Sequence, residues 1–281
     1  MTSTGLRAET ERLLNQGAPI PERTVVVLGD SIAYGWGLSY AQSYPALLEG
    51  LLNAQGAGRA WRVINAGVPG DTVVAGALRS ARDVRPFHPR IVLIAFGLND
   101  AAPRRTQFDA QRERAWQTQH NLWARIASLA KRALNKALRL VGVRQRRGEP
   151  VRREAASRVG PRMFVRCLRD LLRQARKDGA TVYVLSLAPW CQEARALAQR
   201  GTEAYAYYET LGAYNQLIIQ AAQREGATLI PLDGVQGDPF VPHAMLVEDG
   251  VHLNAAGQEW IARQVYEALQ RADQQMRDDI A

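Results

Sequence analysis

The tripeptide Gly29-Asp30-Ser31 follows an apolar, β-branched run, Thr24–Leu28, so a serine hydroxyl falls just past the carboxyl end of an expected strand. A serine hydroxyl is a weak nucleophile until a neighbouring base takes its proton, and this placement therefore calls for a histidine elsewhere in the chain. Alone, Gly-Asp-Ser also reads as a turn and helix cap, because Asp and Ser both favour those positions.

Four histidines are present. His88 lies in Pro-Phe-His-Pro, His120 in a polar stretch and His243 beside a proline, all of which suit structural or solvent-facing roles. His252 differs: it lies in the run Asp249-Gly250-Val251-His252-Leu253-Asn254, just before an expected helix. Within one tight loop, a carboxylate three residues away can accept from one ring nitrogen and fix the tautomer that turns the other nitrogen toward a serine. Ser31, His252 and Asp249 are thus the candidate nucleophile, base and orienting carboxylate.

Acyl transfer also needs donors aimed at the oxyanion that forms on the attacked carbonyl. Two turns offer them: Asn65-Ala66-Gly67-Val68-Pro69-Gly70-Asp71-Thr72 and Gly97-Leu98-Asn99-Asp100. Gly70 can present a backbone N–H with no side chain in the way, and Asn99 its side-chain amide. Each turn alone is ordinary strand-to-helix punctuation.

The elements that would position these residues alternate. Apolar, β-branched runs at Thr24–Leu28, Trp61–Ile64, Ile91–Phe96, Thr181–Leu187 and Thr228–Leu232 read as buried strands, with helical stretches over 44–55, 72–84, 106–146, 161–178, 202–225 and 255–275 between and after them. The order βαβα predicts one parallel sheet covered by helices on both faces, with right-handed crossovers and ligands at the carboxyl ends of the strands. All four blocks fall at such ends or before the last helix.

With GDSIAYG, NAGVPGDT, GLND and DGVHLN in this order, the chain resembles the SGNH, or GDSL-type, hydrolases, named for a Ser, Gly, Asn and His in separate blocks. The resemblance covers about residues 24–100 and 160–270. It implies a three-layer flavodoxin-like fold of five parallel strands in order 2-1-3-4-5. It also implies Ser31 as nucleophile, the Ser31 N–H, Gly70 and Asn99 as the oxyanion hole, His252 as base oriented by Asp249, and no metal or organic cofactor. Ala33 stands where a hydroxyl residue is common after Gly-Asp-Ser-Ile. Trp36, close to Ser31 in sequence, is a candidate pocket wall.

The expected activity is hydrolysis of carboxylic esters of the esterase, lipase or lysophospholipase type. Deacetylation of a carbohydrate or small metabolite and thioester hydrolysis use the same machinery. A non-catalytic membrane-surface protein on this fold is the alternative of another class.

The 281 residues suit a single domain, 1–281, carrying a basic helical insertion over 101–160 after the third strand. Net charge is +9, yet residues 101–177 hold 21 Lys+Arg against 5 Asp+Glu, so the excess is local and points to an anionic partner. At about 100° per residue, Leu122, Ile126, Leu129, Ala133, Ala137 and Leu140 share one face, and Arg125, Lys131, Arg132, Lys136 and Arg139 the other. Such a helix over 119–147 could lie on an anionic membrane, form a lid or simply pack on the core. Nucleic acid is disfavoured, because no zinc-ligand spacing or RNP-like aromatic motif accompanies the charge.

From Arg144 to Arg162, Gly, Pro and positive charge predict an exposed connector. Cys167 and Cys191 are expected as free thiols. With no signal-peptide-like start and no run of apolar residues long enough to span a bilayer, the expected location is cytoplasmic, with peripheral membrane contact through the insertion.

Overall fold

The computed structural model describes residues 23–54, 60–102, 111–114, 116, 157–187, 203–232, 243–249 and 251–278. The expected helix over 119–147, with His120 and Cys191, lies outside them.

Five strands form one sheet: β1 (Thr24–Gly29), β2 (Arg62–Gly67), β3 (Ile91–Ala95), β4 (Thr181–Leu185) and β5 (Thr228–Ile230). All pairings are parallel and the order is β2-β1-β3-β4-β5, as expected. The helices are α1 (Ser31–Tyr34), α2 (Tyr44–Asn53), α3 (Val73–Asp83), α4 (Leu98–Ala101), α5 (Pro161–Lys177), α6 (Glu203–Glu225) and α7 (Ala255–Asp278), with residues 111–114 also helical.

Alternation along the strands sorts the core into two layers. Val26, Leu28, Val92, Ile94, Val182 and Val184 pack with residues of α3, α5 and α6. Val25, Val27, Val63, Leu93, Tyr183 and Leu185 pack with α2 and α7. β1 is buried along its whole length, which is why it reads as an unbroken apolar run. Helix α5 shows the matching helical pattern: Pro161 opens it, and Phe164, Cys167, Leu168, Leu171, Leu172 and Ala175 form its buried stripe.

Register is what places the site. Gly29 at the end of β1 is level with Gly67 of β2 and Ala95 of β3. Ser31, Gly70 and Asn99 therefore follow their strands at one edge of the sheet. Close approach requires glycine at two of these ends: a Cβ on Gly67 would stand 2.4 Å from the Tyr34 backbone nitrogen, and one on Gly29 2.8 Å from the Ala33 Cβ. Ala33, fully buried, fits where these strand ends press on α1.

Two expectations need correction. β2 begins and ends later than expected and includes Asn65-Ala66-Gly67, because Asn65 satisfies its own amide inside the fold: Nδ2 donates to the Ala33 carbonyl and Oδ1 accepts from the Gly67 N–H. The connector expected to be exposed to Arg162 is already part of the core at its described end. Val159 is buried, its N–H donates to the Asp100 carbonyl, and its own carbonyl accepts from the Tyr214 hydroxyl.

Candidate active site

Ser31 is the first residue of α1, and Asp30 caps that helix by accepting from the Ile32 N–H at 2.9 Å. A first-turn N–H has no partner inside its helix, so the Ser31 N–H remains available to a ligand. The turn and cap reading of Gly-Asp-Ser is therefore correct as well, and it is what aims the serine.

His252 comes from a loop pinned at both ends. Leu246 and Leu253 form an antiparallel bridge, the Val247 N–H donates to the His252 carbonyl at 2.9 Å, and the Asn254 N–H donates to the Met245 carbonyl at 3.0 Å. Asn254 then caps α7, accepting from the N–H groups of Ala256 and Gly257. Inside this closed loop, Asp249 Oδ2 lies 2.6 Å from His252 Nδ1, while its Oδ1 accepts from the backbone N–H of Val251 and of His252. With Nδ1–H donating to Asp249, Nε2 is the acceptor for the Ser31 hydroxyl, 2.9 Å away. Burial acts to raise the Asp249 carboxyl, but the hydrogen bonds from the His252 ring and the two backbone N–H groups outweigh it and hold the carboxyl below its ordinary value.

Gly70 has a left-handed φ of 76°, and among the described residues nothing beyond its chain neighbours lies within 4 Å of where its Cβ would be. Asn99 donates one Nδ2 hydrogen to Asp30 Oδ2 at 3.2 Å, leaving the second. The ring of Trp36, 45% exposed, stands 6.1 Å from that of His252. An apolar pocket reaches the neighbours of Ser31 in the chain, Asp30 and Ile32, and is lined also by Phe96, Leu98, Leu187, Leu232 and Val251, with Asp30 and Ser186 as its polar members. Trp36 is not among the residues that line it.

Three further residues belong to this neighbourhood. Asp30, within Gly-Asp-Ser, is buried, and burial pushes its carboxyl up to about 6 against hydrogen bonds from Ile32 and Asn99. Asp100, within Gly-Leu-Asn-Asp, is fully buried, and burial pushes it up to about 8 despite the N–H of Val73. Their motifs were visible in the sequence, but burial of the carboxylates was not. Arg158 donates Nη1 to Asn99 Oδ1 at 3.1 Å and Nη2 to the Gly70 carbonyl at 3.0 Å. Nothing in the sequence separates it from the other arginines of the basic segment.

Among the described residues, no group of His, Cys, Asp and Glu is arranged to hold a metal ion, and no helix is long and apolar enough to cross a membrane.

The sheet is doubly wound, and Ser31, His252 and Asp249 stand in hydrogen-bonded sequence at the carboxyl ends of its strands. Residues 27–260 match the GDSL-like Lipase/Acylhydrolase family, and the chain belongs to that family. Among curated relatives, it is 37% identical over 78 residues to Esterase TesA of Pseudomonas aeruginosa, a match covering 28% of this chain and 38% of the relative. It is 34% identical over 77 residues to the Thioesterase 1/protease 1/lysophospholipase L1 of Escherichia coli, covering 27% and 35% of the two chains. The matches thus span little more than a third of those relatives. Among solved structures, the lipase/acylhydrolase from Enterococcus faecalis superposes with a TM-score of 0.57 at 17% identity, over 89% of this chain and 96% of the other. Axe2, an acetylxylan esterase from Geobacillus stearothermophilus, does so with a TM-score of 0.56 at 19% identity, over 88% and 94%. At these identities the superpositions speak for the fold.

Proposed function

We propose that the protein hydrolyses carboxylic acyl esters through an acyl-serine intermediate. The observation that carries this is the sequence of contacts from Ser31 Oγ to His252 Nε2, 2.9 Å, and from His252 Nδ1 to Asp249 Oδ2, 2.6 Å. Both fall within the reach that proton transfer from a nucleophile requires.

His252 takes the hydroxyl proton as Ser31 Oγ attacks the ester carbonyl, and Asp249 stabilises the imidazolium that forms. The carbonyl oxygen becomes an oxyanion that accepts from the Ser31 N–H, the Gly70 N–H and the second Nδ2 hydrogen of Asn99. His252 returns its proton to the leaving alkoxide as the carbonyl re-forms, leaving acyl-serine and a free alcohol. Water then attacks the acyl-serine while His252 removes its proton, and collapse of the second tetrahedral intermediate releases the acid and restores the Ser31 hydroxyl. No cofactor enters these steps.

The apolar pocket at Asp30 and Ile32, the chain neighbours of Ser31, favours an acyl chain over a bare acetyl group, since its lining offers hydrocarbon contact and few polar partners. Lipid-like and other acyl esters are accordingly proposed ahead of acetylated carbohydrates, with thioesters served by the same steps. The local excess of positive charge in 101–177 supports delivery of such substrates at an anionic membrane surface. Binding to anionic vesicles should weaken with salt and be lost on deletion of 119–147; equal binding after the deletion would reject that part.

A fluorophosphonate probe tests the activity. Labelling is expected in the folded protein and not in Ser31→Ala, together with hydrolysis that improves from acetyl toward longer acyl esters. Labelling that persists in Ser31→Ala would reject the nucleophile, and an optimum at acetyl would reject the acyl-chain preference.

A further inference from the structure

The geometry points to Arg158 as a positioning residue for ester hydrolysis, clamping the Asn99 amide and the Gly70 turn together so that both proposed oxyanion donors face one point. This rests on the reading of Gly70 and Asn99 given above.

The planar guanidinium uses two separate nitrogens on two separate acceptors, Nη1 on Asn99 Oδ1 at 3.1 Å and Nη2 on the Gly70 carbonyl at 3.0 Å. A fork of this kind sets direction as well as distance. By occupying Oδ1, Arg158 selects one of the two orientations an asparagine amide can take, the one that turns Nδ2 toward Asp30 and the nucleophile. At Gly70 it holds the carbonyl of the same residue whose N–H is proposed to meet the oxyanion.

The clamp is itself held in place. The Arg158 N–H donates to the Ala102 carbonyl at 2.8 Å, and the Val159 N–H to the Asp100 carbonyl at 3.2 Å, so its backbone is tied to the end of α4, the helix that carries Asn99. The Gly70 turn is gripped from other sides too. The carboxylate of Asp71 pairs with Arg79 at 2.7 Å and with Arg112 at 3.2 Å, and Arg79 Nη2 also donates to the Gly29 carbonyl at 2.9 Å. Arg112 and Arg158 both belong to the basic segment 101–160, and both reach the same turn.

Preorganised donors act because they need not move as charge develops, and loss of a single one costs about 100- to 1,000-fold in kcat. Arg158→Ala loosens two donors without deleting either. A fall in kcat of about 10- to 100-fold is expected on that scale, with KM changed less than about threefold. Arg158→Lys keeps the charge but cannot span both acceptors, and its kcat should fall in the same direction. Added guanidinium should restore part of the kcat of Arg158→Ala, whereas sodium chloride at equal ionic strength should not.

The experiment measures kcat and KM on a soluble ester for wild type, Arg158→Lys and Arg158→Ala, normalised by fluorophosphonate titration of competent sites and accompanied by thermal melting. A normalised kcat unchanged in both variants, or a loss that tracks only the folded fraction and does not respond to guanidinium, overturns the proposal while leaving the hydrolase reading intact. If Arg158→Ala does not fold, Arg158→Lys decides. A wild type that neither hydrolyses esters nor labels at Ser31 overturns both.

Discussion

Val73 donates its backbone N–H to Oδ1 of Asp100 at 3.0 Å, and the other oxygen of that buried carboxyl finds no hydrogen-bond partner among the described residues. Asp100 thus takes up a first-turn N–H of α3 beside the cap that Thr72 supplies, and burial raises it to about 8.

The sign of the resulting pH dependence follows. An unfolded aspartate releases its proton near pH 4, about 3.9, whereas the folded protein keeps that of Asp100 to about pH 8. The folded state then binds more protons than the unfolded state, so stability falls as pH rises through this window, and Asp30, raised to about 6, adds to the lower half of it. Asp100→Asn keeps an acceptor for Val73 and cannot ionise. Its melting temperature should decline less between pH 5 and 8 than that of wild type, and equal slopes would remove Asp100 as the source.

His252 and Asp249 should differ in what their loss costs. His252→Ala removes the proton acceptor and should lower kcat by at least about a thousandfold. The Asp249 side chain is 45% exposed, so water can reach the vacated place beside Nδ1. Asp249→Ala should therefore retain more activity than His252→Ala in steady-state assays; equal losses would mean that the carboxylate does more than orient the ring.

Gly67→Ala should couple stability to activity. Its methyl group would stand 2.4 Å from the Tyr34 nitrogen and 2.8 Å from the Ala33 carbonyl carbon, so α1 must shift and carry Ser31 with it. Overpacking of this kind costs about 1–3 kcal/mol, and fluorophosphonate labelling should slow beyond what the loss of folded protein explains. Gly50→Ala in α2 meets nothing within 4 Å among the described residues and should instead stabilise by about 0.5–1 kcal/mol.

Trp36 predicts a binding effect. Its exposed ring, 6.1 Å from that of His252, can cover one side of a bound ester. Aromatic contacts are worth about 0.5–1.5 kcal/mol beyond area, so Trp36→Ala should raise KM about two- to tenfold with kcat little altered. A change confined to kcat would place the ring in the chemistry instead.

What was legible in the sequence was whatever rests on local pattern. The central strands β1 and β3 could be read because burial on both faces demands continuous apolar runs, and the Asp249–His252 spacing because one short loop contains it. Single-turn helices such as Ser31–Tyr34 and Leu98–Ala101 are too short to show a period. The end of β2 was hidden because Asn65 makes its partners across 32 residues to Ala33, a contact no window contains. Arg158 was hidden for the same reason: its acceptors lie 59 and 88 residues away.

Gln258 is almost wholly buried at the start of α7, where its side chain accepts from the Tyr44 N–H at 2.8 Å and donates to the Ile32 carbonyl at 3.0 Å. It fastens the helix that follows the histidine loop to the one that bears the serine, although Ser31 and His252 are 221 positions apart. Closing a loop of that length is deferred until the intervening strands have paired. A chain in which Gln258 has not yet joined Ile32 and Tyr44 would carry both Ser31 and His252 without the tie that holds their helices together, so any turnover would report on completed folding.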